Sequence, residues 1–312
     1  ARCRTTDDGR VLSDLEVADG AGRLLLRIAG WEVKRIDLPG KFYAFRLDPR
    51  GVILSEPLPA PAPARDRIAC ARLELPDPLM EADGRIWREG LAHVVLGGSE
   101  RSAWRALGGP EKRRTEWLLG RAAAKDAVRL LLREKGGPDV FPADIEIETD
   151  ASGKPVVMRL PESARGFAPV VSIAHSRGLA VAIAGDGGRD SGLGVDVERM
   201  ARLDAAFEET AFTAEERRLL HALDGAGREE WTLRLWCAKE AAAKSLGTGL
   251  PGGPRDALVR EVDPRGGMVD VAVAGEILKA HPEWAGRRLS VYTARADDLV
   301  LALTSRGAEH GH

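Results

Sequence analysis

Trp117-Leu-Leu-Gly-Arg121-Ala-Ala-Ala-Lys125 and Trp236-Cys-Ala-Lys-Glu240-Ala-Ala-Ala-Lys244 share one frame: a tryptophan, three residues, a charged residue, three alanines and a lysine. Such a frame met twice in one chain implies an internal duplication. The match extends upstream, where Gly90-Leu-Ala-His-Val-Val-Leu96 precedes the first copy as Gly192-Leu-Gly-Val-Asp-Val-Glu198 precedes the second. Basic segments that read as helix starts, Pro110-Glu-Lys-Arg-Arg114 and Ala214-Glu-Glu-Arg-Arg218, extend it again. Charge separates the copies. Asp196, Glu198 and Glu240 are acidic where this alignment puts Val94, Leu96 and Arg121 in the first copy. One half is thus built to hold a cation and the other an anion, which points to a phosphorylated ligand at their junction.

The rest of the chain limits the alternatives. At 312 residues it can hold two self-sufficient cores, and 44% hydrophobic with 30% charged residues is an ordinary globular composition. A net charge of -2 gives no basic surplus for nucleic acid. No apolar run approaches the roughly 20 residues that cross a bilayer, because the best, Val170 to Gly185, is interrupted by His175 and Arg177. Cys3, Cys70 and Cys237 lack metal-ligand spacing and read as reduced thiols of a cytoplasmic protein. The chain opens on Ala1-Arg2 without a signal-peptide core, so a piece of a longer polypeptide is expected.

Periodicity gives the organisation. Val11–Val17, Arg23–Ile28 and Trp31–Ile36 read as strands, with a turn over Asp19–Gly22. Pro57, Pro59, Pro61 and Pro63 favour an extended connector. The expected domains are a β-rich segment 1–54, a linker 55–84, a first half 85–190, a second half 191–306 and a tail 307–312. Each half should run strand, loop, helix and closing hairpin. The helices are expected over about Glu111–Glu134 and Glu229–Leu246; Thr213-Ala-Glu-Glu216 fits a capping box and Gly247 a left-handed C-cap. Val170–Ile173 with Leu179–Ala184, and Arg288–Tyr292 with Leu299–Leu303, read as the hairpins.

Asp196 and Glu198 stand two apart in an apolar strand and leave one face together, with Val195 and Val197 on the other. Two such carboxylates mark either a solvent face or a cation site, and hard oxygens suit Mg²⁺. Trp236, Glu240 and Lys244 recur every four residues and form one helical stripe. Alone, a Glu–Lys pair at that spacing is a surface pair worth about 0.3–0.5 kcal/mol. The alanines 241–243, however, permit close approach of another backbone, bringing Glu240 toward Asp196 and Glu198 with Lys244 offsetting the charge. The first half offers Lys112, Arg113, Arg114, Arg121 and Lys125, with Arg121 foremost because it aligns with Glu240. His175 and the turn Gly153-Lys154-Pro155 decide nothing alone.

Taken in order, Gly153-Lys-Pro155, Ser172-Ile-Ala-His-Ser176, Gly194-Val-Asp-Val-Glu198 and Leu235-Trp-Cys-Ala-Lys-Glu-Ala-Ala-Ala-Lys244 resemble the 4′-phosphopantetheinyl transferases of the long, single-chain class, over about Arg85 to Arg306. Such enzymes move the phosphopantetheine arm of coenzyme A onto a serine of an acyl carrier protein and release adenosine 3′,5′-bisphosphate. The resemblance implies an α+β fold of two pseudo-symmetric halves with the coenzyme between them, here preceded by a β-rich N-terminal segment.

By the same resemblance Asp196 and Glu240 hold Mg²⁺, with Glu198 as a third ligand or a ligand of its water. Lys244 and His175 meet the phosphates, Lys112 and Arg121 lie near the 3′-phosphate, and Lys154 with Gly153 and Pro155 flanks the adenine. Glu240 is the expected base, ionised at neutral pH as a free glutamate would be. One departure is Ala174, where the family often has serine. Arg10–Pro49 resembles the closing strands of a hotdog dehydratase domain, which implies the carboxy-terminal end of an enediyne-type iterative polyketide synthase. Two rivals stand beside this expectation: a silent transferase-like scaffold that binds coenzyme A or carrier, and a metal-dependent phosphohydrolase.

Overall fold

The structure, a computed structural model, describes residues 2–6, 10–34, 39–59, 68–76, 85–187, 192–201, 203–223 and 227–305. Contacts divide the chain into two units, Ala1–Gly40 and Lys41–His312. Unit 1 is an antiparallel meander of β1 (Arg2–Thr5), β2 (Arg10–Ala18) and β3 (Leu24–Lys34) in that order. Asp19 shapes its turn by accepting from the N–H groups of Ala21 (3.0 Å) and Arg23 (2.9 Å). The two strands expected over Arg23–Ile28 and Trp31–Ile36 are one strand. Gly30, at a φ of 67° and bonded to Asp14 (2.7 Å), absorbs the irregularity between them. Ile36 lies outside the described residues, as do Pro61, Pro63 and the tail 307–312.

The boundary falls at Gly40, not among the prolines, because residues 49–55 are tied into unit 2 by buried charge. Arg129 donates to the carbonyls of Pro49 (2.8 Å), Arg50 (2.6 Å) and Val52 (3.0 Å), and Asp126 accepts from the Ser55 N–H (2.8 Å). Pro57 sits in β4 (Glu56–Leu58), an edge strand where a missing donor is tolerated.

Unit 2 holds two halves of one plan. The first runs α1 (Gly40–Leu47), β4, β5 (Ile68–Glu74), α2 (Arg85–Val95), α3 (Gly98–Ala106), α4 (Glu111–Glu134), β6 (Glu146–Thr149), β7 (Pro155–Arg159), β8 (Pro169–Ser176) and β9 (Leu179–Asp186). The second runs β10 (Leu193–Arg199), α5 (Ala205–Ala211), α6 (Ala214–Ala222), α7 (Arg228–Leu246), β11 (Ala257–Asp263), β12 (Met268–Val273), α8 (Gly275–Ala280), β13 (Leu289–Ala296) and β14 (Leu299–Ser305). Their sheets run β4-β5-β9-β8 and β10-β14-β13-β12-β11, all antiparallel. The α4 helix packs on the first sheet and α7 on the second. Ile68, Val181 and Ile183 meet Val195, Val197 and Leu303 in one apolar cluster shared by the halves. Among the described residues no helix is long and apolar enough to cross a membrane.

Two expectations about the duplication are corrected. Gly90–Val95 is helical, not a strand: Arg88, Leu91, Ala92 and Val95 are its buried residues, spaced as one helical face. The true counterpart of β10 is β5, a nearly continuous buried run inside the expected linker. The repeat is also displaced by five residues. Lys125 donates to the Val95 carbonyl (2.8 Å) and pairs with Glu100, which also accepts from the N–H groups of Gly97 (2.8 Å) and Ile147 (3.2 Å). Lys239 donates to the Ala211 carbonyl (2.7 Å) and pairs with Glu216 (3.0 Å), which accepts from Thr213 (2.7 Å) and Val259 (2.8 Å). The same network fixes Lys125 opposite Lys239, not Lys244. Asp126, rather than Arg121, therefore stands opposite Glu240. Both lysines are fully buried and pulled below their ordinary range by that burial, with the paired glutamate opposing.

Besides α1 and β4, which the second half lacks, the halves differ at the far edge of the sheet. β12 pairs with β13, whereas β6 and β7 form a separate two-stranded sheet and β7 has no ladder to β8. A cleft of about 830 Å³ opens there, lined by β7, the start of β8 and the β6–β7 turn.

All three cysteines are free, Cys3 exposed and Cys70 and Cys237 buried. Burial pushes the Cys70 thiol up to about 12. A thiol reagent at about pH 8 is expected to react quickly with one thiol in the native chain and with three after denaturation. Two fast thiols would contradict this packing.

Candidate active site

Strand β10 and helix α7 touch backbone to backbone. A Cβ on Gly194 would lie 1.8 Å from the Ala241 carbonyl oxygen, and Ala241, Ala242 and Ala243 are fully buried. The alanine run thus does what its small side chains permit. From Leu235 to Leu246, only Trp236, Glu240 and Lys244 are partly accessible, which is the expected stripe. On β10, Val195 and Val197 enter the core shared by the halves, so Gly194, Asp196 and Glu198 share the face turned to α7.

There Lys244 Nζ donates to Asp196 Oδ1 (2.7 Å), while the buried Oδ2 has no partner among the described residues. Burial works to lower the Lys244 ammonium, but the charge and hydrogen bond of Asp196, joined by Glu240, outweigh it and raise it. Burial and then the Asp196 charge raise the Glu240 carboxyl, against the pull of Lys244. Glu198 is raised mainly by burial and also by Asp196, partly offset by Ser176, whose Oγ donates to Glu198 Oε2 (2.8 Å). Cys237 is buried beside them, its thiol pushed well up by burial and by the charges of Asp196 and Glu198.

Three hard-oxygen donors in mutual repulsion, one with an orphaned buried oxygen, fit a divalent cation of the Mg²⁺ type. They are close enough to couple, yet among the described residues no three His, Cys, Asp or Glu side chains form a ready-made metal cluster. Lys244 and Ser176 instead occupy one oxygen each of Asp196 and Glu198.

The other expected site residues divide. His175 is exposed on β8, on the side-chain face opposite Ser172, Ala174 and Ser176. Ser172 accepts from the Val195 N–H (3.1 Å), and Ala174 is buried in the core shared by the halves. His175 is thus not on the strand face that carries Ser176 to Glu198. Gly153, at a φ of 90°, and Lys154 lie in a turn set by Asp150, which accepts from Ser152 (2.9 Å) and Lys154 (3.0 Å). Lys154 and Pro155 line the cleft, and the Lys154 stem lies 3.3 Å from a Cβ built on Gly247, just past Lys244. That contact links the cleft to the end of α7.

The basic residues are unequal as well. Arg121 is buried, its guanidinium over Trp117 (4.7 Å) and donating to Thr149 Oγ1 (2.7 Å). Lys112 is exposed and beside Glu116 (3.7 Å). Arg114 lies over Trp104 (4.6 Å) and near Glu111 (3.4 Å). Lys125 is spent on Glu100. Ser176, Cys237 and Thr149 were not singled out from sequence; the Ser176 hydroxyl at the end of the Ser-Ile-Ala-His-Ser run carried the one available signal.

The sequence model of the 4′-phosphopantetheinyl transferase superfamily matches residues 192–304, the span that carries Asp196, Glu198, Glu240 and Lys244. A holo-[acyl-carrier-protein] synthase of Bacillus cytotoxicus is 39% identical over 88 residues, 28% of this chain and 69% of that protein. A 4′-phosphopantetheinyl transferase of Bacillus pumilus is 30% identical over 106 residues, 34% of this chain; the match spans 41% of that relative's length. Among solved structures, a holo-(acyl-carrier-protein) synthase of Bacillus anthracis in complex with coenzyme A is 27% identical, covering 39% of this chain and 96% of that one at a TM-score of 0.31. With a curated relative above 30% identity matched over more than two thirds of its length, the chain belongs to the 4′-phosphopantetheinyl transferase superfamily.

Proposed function

We propose that this chain transfers the 4′-phosphopantetheine arm of coenzyme A to a serine of an acyl carrier protein and releases adenosine 3′,5′-bisphosphate. The observation that carries it is the Lys244–Asp196 pair with its orphaned oxygen, set beside Glu240 and Glu198 inside the matched span. Asp196 and Glu240 would hold Mg²⁺, with Glu198 nearby, and the ion would supply charge neutralisation on the diphosphate. Glu240 takes the proton from the carrier serine as its oxygen bonds to the β-phosphorus. The bond from that phosphorus to the bridging oxygen breaks, and the bisphosphate leaves with it. Lys244 meets charge on the phosphoryl oxygens, because such transition states need alignment and charge stabilisation more than covalent help. His175 would meet the phosphates, Lys112 and Arg121 would lie near the 3′-phosphate, and the adenine would lie along the cleft by Lys154 and Pro155.

Three free cysteines support a reducing, cytoplasmic setting. The β-rich segment would belong with a dehydratase-like domain of a polyketide synthase, a reading that rests on the resemblance of Arg10–Pro49. Mass spectrometry of an apo carrier incubated with coenzyme A and Mg²⁺ tests the reaction. Gain of one phosphopantetheine on the carrier serine supports it. An unchanged carrier favours a silent scaffold, and phosphate released without carrier favours hydrolysis.

A further inference from the structure

Both carboxylates of β10 have one oxygen taken. Lys244 Nζ donates to Asp196 Oδ1 (2.7 Å) and Ser176 Oγ to Glu198 Oε2 (2.8 Å), while among the described residues Asp196 Oδ2 and Glu198 Oε1 are hydrogen-bonded to nothing. Asp196 is only 7% exposed, so its open oxygen is hidden from bulk water. Ser176 reaches Glu198 from the other half of the unit. It ends β8, and four residues back on the same strand face Ser172 Oγ accepts from the Val195 N–H (3.1 Å). Both serines are buried. The Ser172 bond fixes where β8 lies on the backbone of β10. The Ser176 bond then fixes the Glu198 side chain, because a hydrogen bond to a half-buried carboxylate is costly to give up.

This arrangement limits how many oxygens an ion can draw from Glu198. Ca²⁺ takes about six to eight oxygens in flexible geometry and accepts both oxygens of one carboxylate, whereas Mg²⁺ demands a near-ideal octahedron and keeps several waters. A carboxylate with one oxygen already capped can offer only the other. We infer that Ser176 is a positioning residue that sets the ion selectivity of the carboxylate site: by capping Oε2 it confines Glu198 to one oxygen, toward the ion or toward its water, and so disfavours Ca²⁺ against Mg²⁺. The inference rests on the transferase function proposed above, but it is read from ion binding and not from turnover.

The test loads the coenzyme A-bound chain with Mn²⁺, counts the free ion by paramagnetic resonance and displaces it with Mg²⁺ or with Ca²⁺. Ser176→Ala frees Oε2 and is expected to shift the displacement ratio about tenfold toward Ca²⁺, the low end for a hydrogen bond to a charged group. Ser176→Thr keeps the hydroxyl and should hold the wild-type ratio. Ser172→Ala loosens the same strand contact without touching Glu198, and should lower the unfolding midpoint while leaving the ratio unchanged. An unchanged ratio in Ser176→Ala, or an equal shift in Ser172→Ala, overturns the role of Ser176 alone. A wild type that holds no Mn²⁺ overturns the inference as well, and carrier modification by that same protein tells whether the transferase function falls with it.

Discussion

Asp196→Asn is expected to lower carrier modification on the order of a hundred- to a thousandfold, the cost of removing one preorganised charge from a transition state. Asparagine keeps an oxygen for Lys244, so the loss should fall on kcat while circular dichroism and the unfolding midpoint stay close to wild type. Glu240→Gln is expected to lose as much, since it removes the base and a metal ligand together. The double variant should lose little beyond either single one, because the two carboxylates act as a unit. Steady-state kinetics on a carrier substrate measures all three. Wild-type turnover in Asp196→Asn would remove that carboxylate from the mechanism.

The second large effect is on stability. Lys239→Met and Lys125→Met each leave a buried glutamate, Glu216 or Glu100, without its cation, and each is expected to cost about 3–5 kcal/mol. Lys244→Met should cost much less, because its side chain is 29% accessible and water takes part of the load. Denaturant midpoints distinguish these outcomes. Lys125 and Lys239 falling together, with Lys244 apart, is what the displaced repeat requires. If Lys125→Met matched Lys244→Met instead, the alignment by alanines would be right and the one by buried networks wrong.

Much of the fold was legible because hydrophobic period is local. Helices α4 and α7, both closing hairpins, the Thr213–Glu216 capping box and the Gly247 cap follow from patterns a few residues long. The stripe of Trp236, Glu240 and Lys244 and the close approach at the alanines were equally visible. The register of the duplication was not. Three alanines and a lysine repeat as letters, but what fixes equivalence is a lysine reaching a glutamate on another helix and a carbonyl in a loop, contacts 23 to 30 residues away in sequence. Arg121 likewise looked like the partner of Glu240, whereas Asp126 holds that place and anchors Ser55 instead. The strand β5 was hidden by the neighbouring prolines, and Ser176 by a motif in which histidine drew the notice.

Titration of Mn²⁺, as a reporter for Mg²⁺, into coenzyme A-loaded wild type and Asp196→Asn tests the central claim most directly, with paramagnetic resonance counting the free ion. One ion per chain in wild type, weakened at least tenfold in the variant with its fold intact, is the expected result. Equal binding by the two proteins would place the cation elsewhere and contradict the role given to the carboxylates of the second half.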